Sequence, residues 1–74
     1  MAMRAMMGVH RGVVSAFDSA AGYGTVRRDD DTEWWFHCTA IADGTREVAV
    51  GVHGVFRLVP GGSGRWEAVD LVEV

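Results

Sequence analysis

The chain has 74 residues, of which 49% are hydrophobic and 23% charged, with a formal net charge of -3 and a pI near 5.4. This length fits one globular domain, and a domain of this size buries only about 60% of its unfolded surface, so we expect modest stability or an oligomer. A single cysteine, Cys38, excludes an intrachain disulfide and favours a reducing compartment, for which we take the cytoplasm. No apolar stretch is long enough for a signal peptide or a membrane span, so the sequence predicts no membrane partner.

Residues 1–10 precede the first predicted strand and hold all four methionines. We interpret them as a flexible N-terminal arm, because chain ends that no contact ties down are commonly disordered. A tail that binds a partner is the alternative. The folded domain is then expected to occupy residues 11–74.

From Arg11 onwards, short segments rich in valine alternate with turn residues, which is typical of a β protein. The acidic residues 29–31 and Thr32 have the turn chemistry that would fold a third strand back beside the second. A single helical turn over 39–42 follows, and Asp43-Gly44 ends it. The five predicted strands cover residues 11–18, 22–28, 33–38, 52–59 and 65–74.

Five strands in so short a chain predict one curled sheet that closes on itself as an all-β, five-stranded antiparallel barrel. Several glycines inside or beside the strands are expected at bulges or sharp bends of the sheet. These are Gly12, Gly22, Gly24, Gly51 and Gly54. In the last strand, simple alternation predicts one face made of Trp66, Ala68, Asp70 and Val72.

Two aromatic clusters stand out, Gly22-Tyr23-Gly24 and Trp34-Trp35-Phe36-His37. If their strands pair, Tyr23, Trp35 and His37 can share one face, since alternate residues of a strand point to the same side. Exposed flat rings in a row are a common platform for stacking unpaired nucleobases. The pattern therefore predicts a single-strand nucleic-acid binding face.

Three ordered motifs resemble the bacterial cold shock domain. They read GVVSAFD at 12–18, GYGTV at 22–26 and FHCTAI at 36–41, and they are followed by Gly51 and Phe56. The corresponding family patterns are roughly G-x-V-K-W-F-N, K-G-F-G-F-I and V-F-V-H-F-S-A-I. The resemblance covers about Gly12 to Leu71, and it implies the five-stranded oligonucleotide-binding (OB) barrel of that family.

The resemblance also implies which residues would contact bases. The stacking aromatics of the family fall here on Phe17, Tyr23, Trp35 and His37. Elsewhere the family's rings or lysines are replaced, at Ser15-Ala16, Ala21, Thr25, Cys38 and in the loop 43–47. Each stacked base contributes about 1–3 kcal/mol, so the loss of several rings predicts reduced affinity.

The small number of basic residues also predicts weak binding of nucleic acid. The seven basic residues are all arginine, and there is no lysine. Contacts with phosphate supply much of the affinity of nucleic-acid binders, so we expect a weak grip on the backbone. The candidate secondary contacts are Arg27, Arg46, Arg65 and Trp66.

Several single residues have alternative roles. Alternate residues of a strand point to opposite sides, so Trp34, Trp35 and Phe36 cannot all face outward. The resemblance implies that Trp34 and Phe36, which stand at core valine positions of the family, are packing residues. Trp66 either extends the stacking surface or seals the barrel end. His37 and Cys38 have neither the spacing of a zinc site nor that of a Cys-His pair, so no metal site is predicted. The acidic run 29–31 lacks the pattern of a calcium loop and is expected to be a solvated turn.

The sequence therefore predicts a protein that binds single-stranded RNA or DNA in the manner of an RNA chaperone or a regulator of gene expression. The alternative is a cold-shock-like fold whose aromatic face meets a protein partner or a second copy of the chain. No nucleophile, carboxylate pair or phosphate-binding loop is present, so we expect no enzymatic activity, no cofactor and no small-molecule substrate.

Overall fold

A computed structural model describes residues 8–62 and 64–74. These residues form five strands, and a 3₁₀ turn at Cys38–Ala40 follows the third. The strands are β1 at His10–Asp18, β2 at Tyr23–Arg28, β3 at Glu33–His37, β4 at His53–Pro60 and β5 at Trp66–Glu73. Each agrees with a predicted strand to within one or two residues. Residues 1–7 of the predicted arm lie outside the described residues, and His10 already pairs with Phe56 across β1 and β4.

The strands close into a barrel in the order β1-β2-β3-β5-β4, with β4 returning to pair with β1. The prediction of an all-β, five-stranded barrel is confirmed. The pairing is antiparallel between all neighbours except β3 and β5, which are parallel over Trp35–Glu67 and Phe36–Ala68. This one parallel pair is the exception to the antiparallel pairing that was predicted, and it arises because the 3₁₀ turn and the connection to β4 carry the chain across the barrel.

The core is one cluster of apolar side chains drawn from all five strands and from the end of the 3₁₀ turn. Its members are Val14, Val26, Phe36, Ile41, Phe56, Leu58, Ala68 and Leu71. Phe36 is completely buried, and Trp34 packs against the same cluster from the edge. The prediction that Trp34 and Phe36 are packing residues is therefore confirmed.

Two β-bulges change which residues face the core. In β1, Val14 pairs with Val26 but Ala16 pairs with Thr25, so Ser15 is the extra residue. In β5 the register shifts opposite Phe56, and Asp70 adopts a positive φ of 54°. The inward side therefore passes from Ala68 to Leu71, and the simple alternation predicted for this strand is wrong beyond Asp70.

Gly24 shows why the second strand needs glycine. A Cβ built at this position would lie 2.3 Å from the carbonyl oxygen of Ala16, and 3.0 Å from the rings of both Phe17 and Phe36. Any side chain here would collide with the neighbouring backbone, so glycine permits β1 and β2 to coil closely over the core. No helix among the described residues is long and apolar enough to cross a membrane.

Candidate nucleic-acid interface

The pairing of β2 with β3 brings Tyr23, Trp35 and His37 to one side of the sheet. Tyr23 lies directly opposite His37, and Thr25 lies directly opposite Trp35. The intervening Gly24 and Phe36 are buried and point inward, so the first set points outward. The tight acidic turn between the strands sets this register. We call the three outward rings of Tyr23, Trp35 and His37 the platform.

The platform rings contact one another. The ring centroids of Tyr23 and Trp35 are 5.9 Å apart with their planes inclined by 29°, and those of Trp35 and His37 are 6.2 Å apart at 52°. Tyr23 is 44% exposed, His37 is exposed and Trp35 is half-buried. Rings in mutual contact are held in place before a ligand arrives, so little side-chain freedom is lost when a flat partner stacks on them.

Arg65 extends the platform. Its guanidinium carbon lies 5.4 Å from the centroid of the Trp35 ring, within the range of a cation–π contact. Arg65 precedes β5, and β5 pairs with β3 at Trp35 itself, so the parallel seam places this arginine. A guanidinium can stack on a base or contact phosphate, and Arg65 is an exposed residue available for either role.

His37 also holds the backbone where β3 ends. Its Nδ1 accepts a hydrogen bond from the Thr39 backbone N–H at 3.2 Å, and it lies 3.0 Å from the Thr39 hydroxyl. Because the amide can only donate, Nδ1 is the unprotonated ring nitrogen, and in the neutral imidazole Nε2 carries the hydrogen. The cap therefore fixes both the ring orientation and the nitrogen that can donate to a ligand.

Thr25 occupies the outer face between the platform and β1. Its hydroxyl lies 2.8 Å from that of Ser15, the bulged residue, which also donates to the Thr25 carbonyl at 3.3 Å. Two hydroxyls in mutual contact therefore lie at the centre of this face. The contact between Thr25 and Ser15 could not be predicted from the sequence, because it depends on the β1 bulge.

A shallow groove adjoins Trp35. It is lined by Thr25, Glu33, Trp34, Trp35, Arg65 and Trp66. Trp66 packs against the core and also borders this groove. Its role as a secondary contact stays a prediction. The Trp34 Nε1 is buried beneath this face without a hydrogen-bond partner among the described residues.

The structure does not bring Phe17 to the platform. Beyond the bulge at Ser15, the Phe17 ring turns inward and stacks on Phe36, with centroids 6.0 Å apart and planes inclined by 9°. It is half-buried beside Gly24. Its assignment as a base-stacking ring stays a prediction, and its position is that of a support beneath the sheet.

The secondary candidates differ in the same way. Arg27 is exposed on the outer side of β2, opposite Glu33, in the row next to Thr25 and Trp35. Arg46 lies in the connection between the 3₁₀ turn and β4 with a positive φ of 61°, and no contact described for the chain joins it to the platform. Arg27 and Arg65 therefore flank the rings, whereas Arg46 does not.

The turn between β2 and β3 is negatively charged. Asp30 accepts hydrogen bonds from both the hydroxyl and the backbone N–H of Thr32, and its carboxylate lies 3.3 Å from the Arg28 guanidinium. These contacts hold the pKa of Asp30 below its ordinary value. The carboxylate is therefore ionised at neutral pH and would repel phosphate. No group of three or more potential metal ligands occurs among the described residues.

The comparisons with known proteins give a likeness in structure alone. No protein-family model and no curated protein matches the chain. Among the solved structures, the chain is similar to Drosophila Unr CSD456, with a TM-score of 0.75 and 19% sequence identity. The match covers 97% of this chain and 29% of that one, so this chain spans less than a third of the length of its structural neighbour.

This likeness confirms the cold-shock-domain type of OB barrel that the sequence motifs imply. At this low identity it speaks for the fold, and it does not carry the residue roles across. Because the neighbour comes from Drosophila, it gives no support for a specifically bacterial member of the family.

Proposed function

We propose that this protein binds single-stranded RNA or DNA by stacking bases on Tyr23, Trp35 and His37. The observation that carries the proposal is the platform itself, in which the Trp35 ring contacts those of both Tyr23 and His37 on the outer face of a barrel sheet. A packing role does not account for them, because each of the three side chains points away from the core. The cold-shock-domain fold of the structural neighbour supports the same partner class.

The expected affinity is modest. A stacked base contributes about 1–3 kcal/mol, and the platform offers three rings, with the hydroxyls of Ser15 and Thr25 beside them. The arginines beside the platform are Arg27 and Arg65, so binding should release few counterions. A plot of log affinity against log salt concentration should therefore have a shallow slope, of about -0.7 for each phosphate contact. Binding is therefore carried by stacking more than by charge.

Such a protein would act by mass action. It stabilises unpaired segments at the expense of hairpins, because it binds one state and not the other, and this needs neither a covalent step nor a cofactor. RNA chaperone or regulatory work follows from that behaviour. The rival function, in which the same rings contact a protein partner, is the other possible outcome of the experiment.

The test is fluorescence anisotropy with a labelled, pyrimidine-rich single strand at low salt. We expect the native chain to bind the strand. The double platform variant, Tyr23→Ala with Trp35→Ala, should lose binding, whereas Arg57→Ala should bind like the native chain. Arg57 is a suitable control because it is exposed and pairs with Asp70 through bonds of 2.9 and 2.6 Å. No binding by the native chain, or equal binding by the platform variant, would overturn the proposal.

A further inference from the structure

A second groove shares no residue with the platform. It lies between the end of the 3₁₀ turn, the segment leading into β4, and the last residues of β5. Its floor is apolar and includes Ile41, Val48, Val52 and Leu71, and its wall includes Val72, which is 46% exposed. Its volume of about 690 Å³ falls within the range of about 300–1,000 Å³ typical of ligand sites.

The rim of this groove is acidic. Three carboxylates line it, those of Asp43, Glu47 and Glu73, and none of its lining residues is basic. The ion pairs found in the described part of the chain, Arg28–Asp30 and Arg57–Asp70, lie elsewhere. The rim charge is therefore not neutralised by the barrel.

Asp43 is held both in place and in its charged form. One of its oxygens accepts hydrogen bonds from the Thr45 backbone N–H at 2.9 Å and from the Thr45 hydroxyl at 2.8 Å. These bonds lower its pKa below the ordinary value, so the carboxylate is ionised at neutral pH. Its second oxygen is not used by these bonds.

We propose that this groove binds a short basic peptide segment of a partner protein, with an aliphatic side chain on the apolar floor and flanking Arg or Lys residues against the carboxylates. Charge complementarity selects this occupant. A nucleic-acid strand is disfavoured because three carboxylates would face its phosphates. A second copy of the chain is disfavoured because two molecules of net charge -3 repel each other. The proposal is independent of the function assigned to the platform.

The test uses the full chain, labelled with ¹⁵N, and the capped pentapeptide Arg-Leu-Arg-Leu-Arg. We expect chemical-shift changes at amides around the groove, such as those of Ala42, Val48, Ala49 and Val72. The double variant Glu47→Gln with Glu73→Gln should lower the affinity for this peptide about fivefold, since two exposed ion pairs with the peptide are removed. Its binding of single-stranded oligonucleotide should stay unchanged.

Two controls separate the groove from general attraction between opposite charges. Asp29→Asn with Asp31→Asn removes the same formal charge from the turn between β2 and β3, and should change peptide affinity by less than about twofold. The peptide Arg-Ser-Arg-Ser-Arg should bind far more weakly, because it has no aliphatic side chain for the floor. Native-like spectra of both variants establish that they fold.

Several results would overturn the proposal. One is shift changes that centre on residues 29–31, and another is equal weakening by both double variants. Equal binding of the serine peptide, or no shift change at millimolar peptide, would do the same. A concentration-dependent dimer whose interface maps to the groove would assign the site to a second copy of the chain.

Discussion

The rings of Tyr23 and Trp35 lie 5.9 Å apart although they belong to different strands and are not direct cross-strand partners. Tyr23 pairs with His37, and Trp35 pairs with Thr25, so the two rings meet along the diagonal of the sheet. Long aromatic side chains reach across such diagonals. The small hydroxyl residue opposite Trp35 leaves space on that side, and the rings form a continuous surface.

Trp35 should be the main energetic contact of this surface, since it touches Tyr23, His37 and Arg65 at once. We expect Trp35→Ala to weaken single-strand binding by about 1–3 kcal/mol, which is roughly fivefold to 150-fold. Trp35→Phe keeps a ring and should retain most of the affinity. Anisotropy titrations measure both, and equal loss in the two variants would contradict a stacking role.

His37 combines a ring and a cap, and two substitutions separate these roles. His37→Asn keeps a side-chain acceptor for the Thr39 N–H, so we expect near-native stability with weakened binding. His37→Ala removes the cap as well and should cost about 1 kcal/mol of unfolding free energy in addition. Urea denaturation and anisotropy on the same samples measure the two effects. If His37→Asn lost as much stability as His37→Ala, the cap would depend on the imidazole ring itself.

Arg65 should contribute through both charge and planarity. We expect Arg65→Gln to lower the affinity and to reduce the slope of log affinity against log salt by about 0.7, the value for one phosphate contact with a single strand. Arg65→Lys keeps the charge but loses the flat guanidinium, so it should keep the slope and lose affinity. An unchanged slope in the glutamine variant would leave Arg65 with its contact to Trp35 alone.

Gly24 should be among the least replaceable residues. We expect Gly24→Ala to destabilise the fold by at least about 1–3 kcal/mol, the usual cost of overpacking, because its Cβ would meet the Ala16 carbonyl at 2.3 Å. Gly62→Ala is the matched control, since a Cβ there has no neighbour within 4 Å. Thermal unfolding of both variants tests this, and similar stability of the two would refute the close approach of β1 and β2.

The acidic turn predicts a specific titration. The Thr32 hydroxyl is the largest cause of the lowered pKa of Asp30, so Thr32→Val should raise that pKa towards its ordinary value of 3.8, and Thr32→Ser should leave it low. A carboxyl whose pKa is lowered by folding stabilises the native state above the unfolded-state pKa. That contribution is lost as pH falls through the lower, folded-state value. NMR titration of the side-chain carboxyl checks the direction, and a low pKa retained in the valine variant would contradict it.

Much of this arrangement followed from local sequence patterns. Glycines, valines and the acidic turn located all five strands, and strict alternation in β3 separated Trp34 and Phe36 from Trp35 and His37. That alternation is a property of the extended backbone itself, so it needs no tertiary information. The platform of Tyr23, Trp35 and His37 could be predicted because one short turn fixes the register of β2 against β3.

Other features depended on contacts between residues distant in sequence. The bulges at Ser15 and Asp70 reverse the alternation that local reasoning extends along β1 and β5, and they turn Phe17 and Leu71 inward. The parallel β3–β5 seam places Arg65 over Trp35, and the connection into β4 forms one wall of the acidic groove. The strands and the three outward rings could thus be located from local sequence alone, since these depend on backbone alternation and one turn. The position of Arg65 beside the rings and the separate acidic groove depend on closure of the barrel. Closure sets the register between strands that no short turn connects, so local sequence cannot predict it.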